Sequence, residues 1–197
     1  MTETIYSRLL PPPPPARVLN GAVETETLVI GGGLAGLSTA VALAERGRPV
    51  LLLEAKRVGW GASGRNGGFL SAGYPLEYDE IAQRLGLEGA RALRRLAVEA
   101  VAWIEGLIAR HGLDCGPHPR GHLGCLWHEE PEAARAEAAR QNELYGFAYR
   151  YLPREEMAAI TSSPFHRGGV LDPEGTQIQP LAYCRGLAAL LGERVHE

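Results

Sequence analysis

Three consecutive glycines, Gly31 to Gly33, separate a short apolar run from a helical pattern, and this junction limits the folds open to the chain. The run Thr27 to Ile30 is typical of a strand buried on both faces of a parallel sheet. The segment from Leu34 to Arg46 has apolar residues at helical spacing, and Val50 to Leu53 is a second apolar run. Two parallel strands joined by a helix form a right-handed βαβ unit. The sequence therefore predicts an α/β fold with a Rossmann-like βαβ domain.

Gly31, Gly33 and Gly36 form the pattern G-x-G-x-x-G at this junction, and Glu54 follows the second strand. In dinucleotide-binding domains the first glycine allows a tight turn, the second lets the backbone approach a pyrophosphate, and the third lets helix and strand pack closely. The helix N-terminus stabilises the phosphates, and an acidic residue about 20 positions further on binds the ribose hydroxyls. The pattern predicts a dinucleotide site in which Glu54 repels a 2′-phosphate and so disfavours NADP. The alternative is an ordinary glycine turn beside a surface glutamate.

A second glycine-rich segment, Gly61 to Gly68, reads GASGRNGG and follows the second strand closely. Because half of its residues are glycine, it is predicted to be a shaped loop without regular structure. The backbone at Gly61, Ala62, Gly64, Gly67 and Gly68 would allow close approach of a flat ring system, and polar groups that can bond phosphate or ring edges come from Ser63, Arg65 and Asn66. The alternative is a connecting loop that contacts no ligand.

The rest of the chain alternates between helical and strand patterns without an internal repeat. Helices are predicted at Leu87–His111, Pro131–Tyr145, Pro153–Ile160 and Pro180–Leu191, and strands at Gly121–Trp127, Ala148–Leu152, Gly169–Leu171 and Arg194–His196. The longest helix has one apolar stripe, formed by Leu93, Leu96, Ala100, Val101, Ile104, Leu107 and Ile108. Ahead of the βαβ unit, Pro11 to Pro15 predicts polyproline II conformation, either as an arm on the surface or as a ligand of a proline-binding domain.

Composition and charge narrow the range of partners. With 45% hydrophobic and 22% charged residues, the chain has the composition of an ordered globular protein. A formal net charge of -3 provides no basic field for nucleic acid. The apolar runs are far shorter than the roughly 20 residues that cross a bilayer, so no membrane partner is predicted. Cys115, Cys125 and Cys184 form no C-x-x-C pair and are predicted to be buried, unpaired thiols of a soluble, cytoplasmic protein.

Other side chains that could carry chemistry are better explained as structural. Three histidines lie along a Gly/Pro-rich stretch without ligand spacing, so no metal is predicted: His111, His118 and His122. Three aromatic residues are expected to pack a second domain rather than line a substrate pocket: Trp127, Tyr145 and Tyr149. An acidic cluster could attract a polyamine-like cation but is expected to be a solvated loop or helix start: Glu77, Asp79 and Glu80.

The run from Thr27 to Gly68 resembles the N-terminus of the FAD-dependent amine and D-amino-acid oxidase (DAO) superfamily. Within it, the string EAKRVGWGASGRNGG, from Glu54 to Gly68, is most similar to gamma-glutamylputrescine oxidase-like oxidoreductases. The similarity continues through Gly112 to Gly124 and through Gly168 to Ala188. It covers nearly everything after the proline run.

The resemblance implies that the cofactor is FAD and that the enzyme oxidises a C–N bond of an amine or amino acid. The amine gives a hydride to the flavin, the resulting imine hydrolyses, and oxygen takes up the electrons to form peroxide. The implied FAD contacts are Gly31, Gly33, Leu34, Ala35, Gly36, Glu54, Ala55, Gly61, Ala62, Ser63, Arg65, Asn66, Gly67 and Gly68. No catalytic residue can be named from this sequence.

The chain departs from the family in length, because members of the family are much longer. The resemblance therefore implies a discontinuous, incomplete FAD-binding domain with the start of an α+β substrate domain. The predicted divisions are an arm with the proline run (1–24), the FAD-binding βαβ unit with its glycine loop (25–76), a long helical segment (77–111), part of the substrate domain (112–179) and a returning helix and strand (180–197). Apolar faces of the sheet are then expected to be exposed.

Three alternatives stay open for function. The chain is a fragment whose missing C-terminal half or partner subunit completes the enzyme, or it is a truncated, non-catalytic nucleotide-binding remnant. The third is a nicotinamide-linked reductase that uses the same βαβ unit.

Overall fold

A computed structural model describes residues 3–116, 120–127 and 130–197. In chain order the elements are α1 (Ile5–Arg8), β1 (Thr27–Ile30), α2 (Leu34–Glu45), β2 (Val50–Leu53), β3 (Phe69–Leu70), α3 (Tyr78–His111), β4 (His122–Leu126), α4 (Pro131–Tyr145), β5 (Arg150–Pro153), α5 (Arg154–Met157), β6 (Gly168–Asp172), β7 (Thr176–Gln177), α6 (Pro180–Leu191) and β8 (Val195–His196). Single 3-10 turns lie at Ala62–Gly64 and Gly192–Arg194. No helix among these residues is long and apolar enough to cross a membrane.

The described residues divide into two compact units. The first takes its residues from 1–68, 108–117 and 178–197, and the second from 69–107 and 118–177. These two units are defined from the structure alone. The assignment of one predicted domain to FAD and of the other to the substrate stays a prediction.

The first unit contains the predicted βαβ arrangement. Its three strands form a parallel sheet in the order β1-β2-β8, with Thr27 opposite Val50 and Leu52 opposite Val195. Helix α2 contacts both β2 and α6. The core side chains of this unit include Leu37, Ala40, Leu52, Leu187 and Leu191. Burial of these apolar side chains supplies the main driving force for this unit to fold.

The expectation that the first strand is fully buried is wrong. Ile30 is 81% exposed and Leu28 is 49% exposed, whereas Leu52 on the central strand is fully buried. The reason is position, because β1 is an edge strand with one neighbour and β2 lies between two. The exposed apolar face expected of a sheet with few neighbours is therefore present on β1.

The second unit is built on antiparallel strands. Its larger sheet has the order β4-β6-β5, and a separate two-residue ladder joins β3 to β7. Helix α4 begins at Pro131, as the sequence predicts, because proline suits the first helical turn. The predicted helix Pro153–Ile160 is shorter in the structure, where α5 ends at Met157.

Helix α3 contains the predicted helix and an additional N-terminal segment. It begins at Tyr78 and is interrupted by Gly86, whose φ of 75° lies in the left-handed region, and the part after this kink runs to His111, as the predicted helix Leu87–His111 does. In the predicted stripe Leu107 is buried and four residues are half-buried, whereas Leu96 and Ala100 are exposed. Arg94 is buried instead, because its guanidinium lies over the Phe147 ring at 4.4 Å from the centroid.

The acidic cluster is a helix start, as one of its two interpretations predicts. Asp79 is in the first turn of α3, but it is not merely solvated. Its carboxylate accepts hydrogen bonds from Arg140 at 3.2 and 2.5 Å and from the Tyr145 hydroxyl at 2.5 Å. These bonds, the Arg140 contribution first, lower the pKa of Asp79. Asp79 therefore links α3 to α4.

The aromatic residues and cysteines that were predicted to have structural roles differ in burial. Tyr145 is buried, Tyr149 stacks on Phe147 at 4.4 Å, and Trp127 packs edge-on against His166 at 4.7 Å although it is 52% exposed. Cys115 and Cys184 are buried thiols, whereas Cys125 is only half-buried.

The two described histidines of this group are surface residues, as predicted. His122 is exposed in strand β4, where its ring stacks on Phe69. His111 lies 3.4 Å from Glu45, and His118 falls outside the described residues. Among the described side chains, no group of three or more His, Cys, Asp or Glu is placed to hold a metal ion.

Candidate functional site

The glycine turn after β1 is shaped by backbone contacts. Gly31 has a φ of 107°, which favours glycine, and its N–H donates to the Leu53 carbonyl at 2.7 Å. A Cβ at Gly36 would lie 2.0 Å from the Gly31 oxygen and 3.2 Å from Val29. A side chain at residue 36 is therefore incompatible with this turn, which agrees with the predicted close packing of helix on strand.

The N-terminus of α2 contacts the second glycine loop. Gly33 precedes the helix in an extended conformation, and the Leu34 N–H donates to Ser63 Oγ at 3.0 Å. A Cβ at Gly33 would lie 2.9 Å from that same oxygen. The first N–H groups of a helix have no partner within it, and Ala35 and Gly36 carry two of them. Ser63 therefore lies beside the N-terminus of α2, where backbone N–H groups have no partner within the helix.

Glu54 is held at the end of β2 by two backbone amides. Its Oε2 accepts the Gly32 N–H at 2.7 Å, and its Oε1 accepts the Lys56 N–H at 2.8 Å. The side chain is half-buried, and Ala55 beside it is exposed. Each carboxylate oxygen keeps lone-pair capacity for a further hydrogen bond. The glycine turn and the acidic strand end are therefore directly connected.

The segment Gly61–Gly68 is not wholly irregular, because Ala62–Gly64 forms one 3-10 turn. Asn66 holds this turn: its Nδ2 donates to the Ala62 and Ser63 carbonyls at 3.0 Å, and its Oδ1 accepts the Gly68 N–H at 2.8 Å. A side chain that pairs with the loop in this way fixes the loop's shape.

The glycines of this loop separate into two kinds. Gly64 and Gly68 are buried, and a Cβ there would lie 2.3 Å from the Gly59 oxygen and 1.9 Å from the Ile178 oxygen, respectively. Gly61 and Gly67 are exposed. The fold itself therefore requires glycine at residues 64 and 68, whereas the backbone at Gly61 and Gly67 is exposed to solvent.

Several residues at this site escape the sequence analysis. Gly32 is the donor that holds Glu54, and its carbonyl accepts the Gly59 N–H at 2.9 Å. Lys56 Nζ lies 3.3 Å from the centroid of the Trp60 ring, a cation–π contact. Arg65 Nε donates to the Trp60 carbonyl at 2.7 Å. Gly59, which precedes Trp60 and Gly61, is the one sequence signal from which the predicted loop Gly61–Gly68 could have been extended back toward β2.

The buried thiols behind the loop are not reactive groups. Cys184 Sγ lies 3.7 Å from the Ser63 carbonyl. Burial raises the pKa of Cys184 to about 12 and that of Cys115 to about 11. Both therefore stay protonated at neutral pH, and neither has thiolate character.

Comparison with known proteins identifies the family to which this site belongs. Residues 26–195 match the DAO family, whose description is FAD dependent oxidoreductase. The chain belongs to this family. FAD is the cofactor of this family. Of the two cofactor alternatives, a flavin and a nicotinamide, the family supports the flavin.

Two relatives of this DAO-family chain match most of its length. Gamma-glutamylputrescine oxidoreductase of Escherichia coli (strain K12) is 36% identical over 188 residues, which are 93% of this chain and 44% of the relative. A probable oxidoreductase OrdL of Rhizobium meliloti (strain 1021) is 32% identical over 200 residues, with 98% and 46% covered. The chain thus spans less than half the length of these relatives.

Solved structures of similar fold confirm the architecture. Glycine oxidase from Bacillus cereus matches with a TM-score of 0.64 and 22% identity, over 88% of this chain and 46% of that one. L-proline dehydrogenase from P. horikoshii matches with a TM-score of 0.65 and 20% identity, over 88% and 44%. The α/β architecture of the DAO-family chain is therefore the predicted Rossmann-like one.

Proposed function

We propose that this chain binds FAD at the carboxyl ends of β1 and β2 and forms part of an enzyme that oxidises a C–N bond of an amine or amino acid. The observation that carries the proposal is the geometry around Gly33. There the N-terminus of α2 and Ser63 meet at a backbone without a side chain, and Glu54 is fixed to the neighbouring Gly32.

In this proposal the diphosphate of FAD lies at the N-terminus of α2. The N–H groups of Ala35 and Gly36 and the positive end of the helix dipole favour negative charge there. Ser63 Oγ already accepts the Leu34 N–H, so its own hydroxyl hydrogen is available to a phosphate oxygen. Gly33 keeps the approach to these donors open.

Glu54 is proposed to accept the hydroxyls of the adenosine ribose, with Ala55 beside it. Its carboxylate is already oriented by the two backbone amides, so little side-chain freedom is lost when the ribose binds. Its negative charge would repel a 2′-phosphate.

The exposed backbone of the second loop is proposed to face the flavin end of the cofactor. Gly61, Ala62 and Gly67 are exposed, and Arg65 and Asn66 flank the open backbone. The Asn66 side chain fixes the turn from within, so its role is to position the peptide groups of Gly67 and Gly68.

FAD, when bound, would supply a two-electron acceptor for the hydride on the substrate carbon beside nitrogen, and oxygen would take up the electrons to give peroxide and leave an imine that water hydrolyses to a carbonyl compound. The choice of a C–N bond is supported by the Escherichia coli relative, which is named gamma-glutamylputrescine oxidoreductase. The protein's contribution in the described residues is to bind and orient the cofactor.

Peroxide release with a panel of amines and amino acids tests this function. We expect flavin absorbance in the purified chain and amine-dependent peroxide from a version extended to the length of the relatives. Bound flavin without peroxide from either version would remove the oxidase assignment and leave the cofactor assignment. A colourless protein that binds NADH would contradict both.

The substitution Glu54→Gln is expected to weaken FAD binding by at least about tenfold, because a charged acceptor is lost and an amide group then faces a backbone donor. The measurement is titration of the flavin-free protein with FAD, followed by quenching of flavin fluorescence. Glu26→Gln is the matched control, since Glu26 pairs with Arg48 at the surface. Equal FAD affinities in the two variants, with lower thermal stability only for Glu54→Gln, would mean that Glu54 only supports the turn.

A further inference from the structure

A cavity of about 340 Å³ lies within the first unit, apart from the glycine turn. Its walls come from the proline run, from the loop that follows β2 and from one side of α6. Apolar surface is supplied by Pro13, Pro15, Val58, Trp60, Leu181 and Ala189. The volume is at the lower end of the range for small-molecule sites, roughly 300 to 1,000 Å³.

The proline run forms one wall because arginines hold it in place. Arg185 Nη1 donates to the Pro11 carbonyl at 2.8 Å, and Arg57 Nη2 donates to the Pro14 carbonyl at 2.6 Å. Proline has no N–H, so this segment offers only acceptors, and guanidinium groups are suitable partners. The run is therefore an arm lying on the first unit, as one of its two interpretations predicts.

The charge on the cavity wall is predominantly positive. Arg57 Nε lies 3.2 Å from Glu197 Oε2, but Arg185 has no carboxylate within ion-pair distance among the described residues. Burial, and then the nearby Arg57 guanidinium, lower the pKa of Arg185. A guanidinium has five N–H donors, and Arg185 uses one of them for Pro11. Donors and positive charge are thus left for an anionic ligand.

The cavity shares Gly64 and Arg65 with the second loop, but the groups proposed to bind the diphosphate and the ribose do not line it. Ser63 Oγ faces the N-terminus of α2, whereas a Cβ at Gly59 or Gly64 would lie 2.9 or 3.0 Å from Leu181 Cδ1 on the cavity wall. Neither Glu54 nor the glycine turn belongs to the described lining of the cavity. A ligand here would be additional to the proposed cofactor.

We propose that this cavity binds a small amphipathic carboxylate. Its apolar tail packs against Trp60, Leu181 and Ala189, and its carboxylate accepts hydrogen bonds from Arg185 and Arg57. Apolar walls exclude a bare phosphate as the best occupant, and the two guanidinium groups exclude an amine. The arm keeps its place, because the carboxylate uses N–H groups that the prolyl carbonyls leave free.

Calorimetric titration of the flavin-loaded protein with octanoate tests the proposal, with octylamine and octanol as probes of the same tail. Octanoate is expected to bind, octylamine to give no binding, and octanol to bind at least about tenfold more weakly than octanoate, because only the carboxylate can accept charge-assisted bonds. Absence of octanoate binding, or equal binding of the three probes, would overturn the proposal.

Two variants locate the site. Arg185→Gln is expected to weaken octanoate at least about tenfold, whereas Arg46→Gln should leave it unchanged, because Arg46 likewise bonds one backbone carbonyl but lies at the exposed end of α2. Ala189→Phe fills the cavity from an exposed position and should abolish binding. Unchanged octanoate affinity in Arg185→Gln or Ala189→Phe would overturn the assignment. Flavin absorbance recorded in the same samples reports the proposed cofactor site separately.

Discussion

Replacing Gly33 by valine is expected to abolish retention of FAD while the chain still folds. The new Cβ would lie 2.9 Å from Ser63 Oγ, which displaces that hydroxyl from the Leu34 N–H. The branched methyl groups would then cover the donors at the N-terminus of α2. Because several charge-assisted hydrogen bonds to the diphosphate are lost together, FAD affinity should fall by at least about a hundredfold.

The fold should survive this change because the backbone at Gly33 is extended, with a φ of -86°, and accommodates a β-branched residue. The atom that must move is the hydroxyl of one serine rather than backbone. Gly73→Val is the matched control, since its Cβ meets nothing within 4 Å and its φ is not left-handed. The measurements are the ratio of flavin to protein absorbance after purification, and the melting temperature. Normal flavin content in Gly33→Val would contradict the proposed position of the diphosphate.

The βαβ unit could be predicted from sequence because each of its signals is local. Continuous apolar runs give β1 and β2, helical spacing gives α2, and the glycines between them permit only a turn. The starts of α4 and α6 were equally predictable, because Pro131 and Pro180 occupy the first turn of each helix.

The features that escaped prediction depend on partners distant in sequence. The two-residue strands β3 and β7 exist only through each other, and neither has enough residues to show a period. Ile30 has a strand pattern typical of burial, but its exposure depends on how many strands lie beside β1. Arg94 is buried on α3 because Phe147 and Glu174 provide partners that no local pattern indicates.

In the candidate site, too, the local spacing of residues was predictable and the contacts between distant segments were not. The spacing of Gly31, Gly33, Gly36 and Glu54 by itself indicates a nucleotide site. The hydrogen bond from Gly32 to Glu54 did not follow from the spacing, because it depends on how the two strand ends come together in three dimensions. Sequence thus indicates which residues meet, and the fold determines how they are held.

Gly68→Ala is expected to destabilise the first unit by about 3 kcal/mol or more. Two costs combine at this position. The φ of 70° disfavours any residue with a Cβ, and that Cβ would lie 1.9 Å from the Ile178 carbonyl oxygen and 3.3 Å from Pro180 Cδ. Backbone atoms cannot rotate away as a side chain can, and the Ile178 N–H also donates to the Gly68 carbonyl at 2.9 Å. The two chain segments would therefore have to separate.

The substitution Gly47→Ala serves as the control, because it carries the cost of a left-handed φ without the cost of a steric clash. Gly47 has nearly the same φ, 69°, in the same unit, but a Cβ there meets nothing within 4 Å. Its substitution should cost only about 1 to 2 kcal/mol, the penalty of a left-handed conformation. Urea unfolding of both variants, followed by circular dichroism, measures the difference in unfolding free energy. If Gly68→Ala is no less stable than Gly47→Ala, the close approach of residue 68 to Ile178 does not exist, and the glycine at this position is then explained by its left-handed φ alone.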